Sequence, residues 1–169
     1  MPCETLQFME QERNYWCVLD PIWDRIDIDT PDTFAKTFSA VPRSVGLLYA
    51  AHFCQSEVCN GGFTQFFWNS TGVLAPEAVE GFEAIGQPHV ADVLQRAMNM
   101  LGSPFRRDRA ARWSALNALR NKQPRSAENP RYKNIDSFRT LEREFYSLHA
   151  SEAGGFENAA NAYANVISE

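Results

Sequence analysis

The sequence holds no run of about 18 apolar residues, so no segment is long enough to cross a membrane as a helix. Met1-Pro2-Cys3-Glu4 begins without a basic stretch leading into an apolar one, which reads as no secretory signal and gives the cytoplasm as the expected compartment. No GxGxxG, GxxxxGK[ST] or GxSxG pattern occurs, removing the common signatures of nucleotide binding and serine hydrolysis. His52, His89 and His149 lie far apart, with no HExxH or paired Cys/His spacing, so neither a metal nor another cofactor is expected. Asp27-Ile28-Asp29-Thr30-Pro31 starts like a calcium loop, but the turn glycine is missing and Phe38 stands where the closing glutamate belongs. The four cysteines (Cys3, Cys17, Cys54, Cys59) read as reduced thiols rather than a disulfide framework. Cys54 and Cys59 fall on different faces of a helix and read as small buried hydrophobes.

What the chain does have is apolar bulk. Its 169 residues are 44% hydrophobic and 12% aromatic, enough to exclude disorder. That length can bury about 70% of the unfolded surface in one core, so residues 1–169 read as a single domain. Strand signals are nearly absent and helix punctuation is dense. Pro76, Pro88 and Pro104 mark segment starts, and Gly61-Gly62, Gly86, Gly102 and Gly154-Gly155 mark helix ends. Apolar residues between them recur at helical spacing: Phe138, Leu141, Phe145 and Leu148; Phe156, Ala160, Tyr163 and Ile167; Val90, Val93, Leu94, Ala97, Met98 and Leu101. The segment from about Ser44 to Cys59 is apolar nearly all round and belongs at the centre of the domain. Residues 20–32 and 123–136 read as non-helical. The fold class is all-α, a single compact multi-helix domain.

Charge is unevenly distributed. The net charge is −5, but residues 1–32 hold eight acids and two bases, while residues 106–133 hold two acids and nine bases. The acidic end suits a basic partner and the basic segment an acidic one.

The sharpest local pattern is Glu57-Val58-Cys59-Asn60-Gly61-Gly62-Phe63-Thr64-Gln65-Phe66-Phe67-Trp68-Asn69-Ser70. It reads as a helix end, a glycine corner and a short aromatic helix. Phe63, Phe66 and Phe67 share a face that should enter the core, and Gln65 and Asn69 share another. Glu57 sits in a last turn, where the helix dipole disfavours an anion. The expected compensation is hydrogen bonding from Gln65 or from the free N–H groups of the second helix.

With its Asn60-Gly61-Gly62-Phe63-x-Gln65-Phe66-Phe67-x-Asn69 core, the chain resembles the small helical DNA-mimic proteins of bacteria and their relatives. Similar, too, are Trp16 with Leu19-Asp20-Pro21-Ile22-Trp23, Ala75-Pro76-Glu77-Ala78, Gly86, Arg106-Arg107-Asp108-Arg109 and Gly154-Gly155-Phe156. The resemblance implies a helical, dimeric, intracellular protein with no enzymatic activity. Its surface carboxylates would imitate DNA phosphates and occupy the DNA-binding face of a transcription factor. The motif itself carries only Glu57, so the partner-binding acids must lie elsewhere: Asp20, Asp24, Asp27, Asp29 and Asp32. In an extended chain Asp27 and Asp29 would stand about 6.6 Å apart on one side, a charge density comparable to DNA, with one phosphate per ~3.4 Å on each strand. The same acids also read as a solvated loop of turn-forming aspartates.

Two other functions stay open at this point. An enzyme would use Glu57 as a general base within a polar cluster of Asn60, Gln65 and Asn69, against the simpler reading that these groups satisfy one another. A nucleic-acid binder would use Arg106, Arg107, Arg109, Arg112, Arg120, Lys122 and Arg125, against the reading that these arginines pair with the acidic ends of the chain or flank a dimer contact.

Overall fold

Each apolar stripe becomes a helix in the computed structural model, which describes residues 14–122 and 136–168. Among the described residues there are eight α-helices: α1 (Trp16–Leu19), α2 (Pro31–Phe38), α3 (Arg43–Trp68), α4 (Ala75–Ala84), α5 (Pro88–Leu101), α6 (Arg109–Asn121), α7 (Arg139–Ser151) and α8 (Phe156–Ile167). Short 3-10 turns cover Asp20–Ile22, Ser70–Leu74, Asp136–Phe138 and Glu152–Gly154, and no strand occurs among the described residues. The fold is all-α. The polar stretch read over residues 123–136 lies, apart from Asp136, outside the described residues, as do Arg125 and Cys3.

Local chemistry sets the helix starts. Thr30 caps α2 by accepting the Thr33 backbone N–H at 3.2 Å, and Pro31 occupies the first helical position. Asp108 caps α6 by accepting the Ala111 N–H at 2.8 Å. The α5 start after Pro88 is capped from a distance: Glu152 takes the His89 N–H at 3.2 Å and the Val90 N–H at 3.1 Å. Pro104 does not open a helix as expected. It lies in the irregular segment between α5 and α6, because the Asp108 cap places the helix start later. Residues 20–32 are also more ordered than their prolines suggest, since Asp20–Ile22 continue α1 as a 3-10 turn and Asp32 lies in the first turn of α2.

The first part of α3 runs through the middle, with Leu48, Tyr49, Ala50, Ala51, Cys54 and Val58 all buried. Helix α4 lies against it so closely that a Cβ on Gly81 would stand 2.3 Å from the Leu47 carbonyl oxygen. The centre is aromatic: Phe63, Phe66, Phe67, Phe82, Phe138 and Phe145 are fully buried. Each such ring contributes about 1.5–3 kcal/mol through its removal from water. Cys54 is buried as expected, whereas Cys59 is exposed at the end of its helix.

Candidate functional site

Helix α3 is broken at Gly61 and Gly62, and Gly62 adopts φ 74°, a left-handed conformation that favours glycine. The chain turns there and starts a second helical run at Phe63, whose N–H has no partner within that run. The expectation that Glu57 would serve this end is overturned. Glu142, from α7, accepts the Phe63 N–H through Oε1 at 3.0 Å. A Cβ on Gly62 would lie 2.2 Å from that same oxygen. Glu142 was missed, although its place between Phe138 and Phe145 on the apolar stripe of α7 marks it as a carboxylate carried into the core. Burial raises its pKa, against the lowering effects of the Phe63 N–H and of Arg139.

Glu57 points to the other side of the break, and there the expected amide partners are present. Gln65 Nε2 donates to its Oε2 at 2.6 Å, and Asn69 Nδ2 donates to both oxygens at 3.0 and 3.2 Å. Thr71, which the motif did not suggest, donates its hydroxyl at 3.1 Å. Asn60 Nδ2 in turn donates to Gln65 Oε1 at 3.2 Å. A carboxylate offers about four lone-pair positions. Three side-chain donors make four contacts with those positions, which is the mutual satisfaction of the polar cluster that the simpler reading expects.

The far end of the motif is closed by a cation. Arg112 is buried, 2% exposed, and donates through Nη1 to the carbonyls of Phe67 at 2.7 Å and Asn69 at 2.9 Å. Those are among the carbonyls a helix end leaves unpaired. Burial lowers its pKa to about 10. Other basic residues are used in the same neighbourhood. Arg107 grips Glu77 at 2.6 and 2.8 Å and donates to the Val73 carbonyl at 2.7 Å. Arg109 donates to the Trp68 carbonyl at 3.1 Å, and Arg120 lies 5.8 Å over the Trp68 ring. The expected pairing with the acidic ends is thus overturned: partners come from α3, α4 and the segments that follow them. Nor do the described residues of that set line up as a basic stripe for nucleic acid. Among the described residues of that set, Arg106 and Lys122 alone remain exposed with no polar or ring partner.

The five N-terminal aspartates present the opposite case. Asp20, Asp24, Asp29 and Asp32 are exposed, Asp27 is half-buried, and none forms an ion pair among the described residues. The extended spacing expected for Asp27 and Asp29 gives way to a turn. Asp27 Oδ1 accepts the Asp29 N–H at 2.9 Å, while the Asp27 N–H donates to Thr37 Oγ1 at 2.9 Å. Asp32 follows in the first turn of α2, where the helix dipole favours its charge.

Two surface grooves lie elsewhere. One, of about 450 Å³, runs over Phe34, Phe38 and Val41. The other, of about 490 Å³, passes Trp16, Gln55, His149 and Phe156. Neither is lined by the glycine break.

The family model for DMP19-like proteins matches residues 39–166. The chain belongs to the DMP19-like family. DMP19 is a DNA-mimic family, non-enzymatic and acting through protein binding. No curated protein and no solved structure matches the chain. The DMP19-like match takes in the glycine break, Glu142 and Arg112. It leaves Trp16, Leu19–Trp23 and all five N-terminal aspartates outside.

Proposed function

We propose that this DMP19-like protein is a non-enzymatic binding module whose N-terminal carboxylates occupy the DNA-binding surface of a basic protein such as a transcription factor. The observation that carries the reading is a difference in engagement. Within the family-matched residues most acids are tied to partners: Glu57 to its three donors, Glu77 to Arg107, Glu80 to Arg43, Glu144 to Arg96 and Glu152 to the start of α5, while Glu83 and Glu157 stand apart from one another as exposed exceptions. Asp20, Asp24, Asp29 and Asp32 face solvent without a cation. Their uncompensated field steers a positively charged surface toward this end and discriminates against DNA itself.

The test is capture from the native host. Wild-type protein is expected to retain basic DNA-binding proteins that an excess of duplex DNA releases. The combined Asp20→Asn, Asp24→Asn, Asp29→Asn and Asp32→Asn variant is expected to lose them, with its melting temperature unchanged. Capture that duplex DNA does not disturb, or that survives the four substitutions, rejects this surface as a DNA mimic.

A further inference from the structure

The aspartates are not alone on their surface. Tyr15, Leu19, Asp20 and Trp23 all have right-handed helical torsions, so α1 and the 3-10 turn after it form one helical run. At about 100° per residue, Trp16, Asp20, Trp23 and Asp24 fall within about 100° of one another, and Tyr15, Leu19 and Ile22 centre about 120° further round. Burial agrees: the second set is buried, Asp20 and Asp24 are exposed, and Trp16 is 37% exposed. Exposed Trp16 and half-buried Trp23, which packs against the core, thus alternate with two exposed carboxylates along one face.

The indoles are held from behind. Trp16 meets the His52 ring edge-on at 4.6 Å between centroids and lies 5.6 Å from Trp23. Trp23 is backed by Phe53 at 4.9 Å and Tyr49 at 5.8 Å. Asp24 lies close enough to this cluster to add to the rise in the Tyr49 pKa, whose larger cause is burial. Fixed rings lose little freedom on binding, which keeps their contact energy available to a partner.

We infer that Trp16 and Trp23, interleaved with Asp20 and Asp24, form an arginine-binding stripe that takes the side chains of an arginine-rich protein segment. The inference rests on the acidic-face reading and names the chemistry of its partner. A guanidinium is planar, stacks on an indole and bonds a carboxylate in a fork; an ammonium of equal charge does neither as well. The chain contains its own example of this combination. Arg107 lies 5.3 Å over the Phe34 ring while both terminal nitrogens hold Glu77 at 2.6 and 2.8 Å. Charge complementarity selects a cation, and the rings select arginine among cations.

Fluorescein-labelled octa-arginine and octa-lysine peptides, titrated with the full chain and read by fluorescence anisotropy, test this directly. The arginine peptide is expected to bind about tenfold more tightly than the lysine peptide. Trp16→Ala brings the two affinities to within about twofold, and Trp16→Phe keeps part of the difference. Asp20→Asn combined with Asp24→Asn weakens both peptides, the arginine peptide at least as much as the lysine peptide. Melting temperatures confirm that the variants fold, as the exposure of Trp16 leads one to expect. Equal binding of both peptides by wild type, or a preference that survives Trp16→Ala, overturns the stripe. If both peptides bind equally and weaken together in the Asn variant, the acidic face stands without it. If neither peptide binds, both fall.

Discussion

The glycine break inside α3 and the N-terminal segment use carboxylates in opposite ways. At the glycine break Glu57 is surrounded by Gln65, Asn69 and Thr71, and Glu142 sits on the Phe63 N–H. Asp20, Asp24, Asp29 and Asp32 have no comparable donors. The charged group is the same and the job differs, because the carboxylates at the break are engaged by donors of the chain itself. The most distinctive sequence pattern in the chain is therefore architecture. The least patterned stretch, outside the family-matched residues, is the part with chemistry to spare.

That contrast can be broken by substitutions whose effects on stability should fall in a definite order. Arg112→Met removes the buried cation and strands the carbonyls of Phe67 and Asn69; a loss of about 3–5 kcal/mol is expected in chemical denaturation. Glu57→Ala leaves three side-chain donors without their acceptor, for about 2–3 kcal/mol. An enzyme built on Glu57 would instead show intact stability and lost turnover.

Glu142→Ala frees the buried Phe63 N–H and costs about 1–3 kcal/mol, whereas Glu142→Gln keeps an acceptor there. The pH dependence sharpens this case. Burial raises the folded pKa of Glu142, so the fold favours its protonated form. Its contribution is whole below the unfolded pKa near 4.5 and is lost as pH rises through the folded value. Melting curves of Glu142→Gln should accordingly gain on wild type between about pH 4 and pH 7. A constant difference across that range would mean the carboxylate is ionised without penalty. The aspartate substitutions close the series, with stability changes within about 0.5 kcal/mol.

How much of this was readable in advance depended on sequence separation. Glu57, Gln65 and Asn69 lie within one short stretch: helical spacing puts Gln65 and Asn69 on one face, and the glycine corner turns that face toward Glu57. The aromatic faces around Phe63, Phe145 and Phe156 were legible for the same reason. Glu142 reaches Phe63 across 79 positions and Arg112 reaches Phe67 across 45, and no periodicity reports such a meeting. The basic segment misled because composition counts charges without their partners: Arg112 is buried on carbonyls and Arg107 on Glu77. The aspartates were legible as an acidic cluster. Their geometry was not, since the Asp27 side chain closes a turn where an extended run was expected.

The glycine break has a consequence for anyone who would borrow it. Residues 43–68, excised as a peptide or transplanted into a designed bundle, leave behind both ions that terminate the break: the carboxylate opposite Gly62 and the guanidinium beyond Trp68. The bend is a three-helix joint, and its portable unit is the pair of glycines together with one acid from α7 and one base from α6. A methyl at position 62 would occupy the place of the Glu142 oxygen, and an alanine there would also have to adopt φ 74°, so a designer who moves the bend must keep the glycine together with its acid.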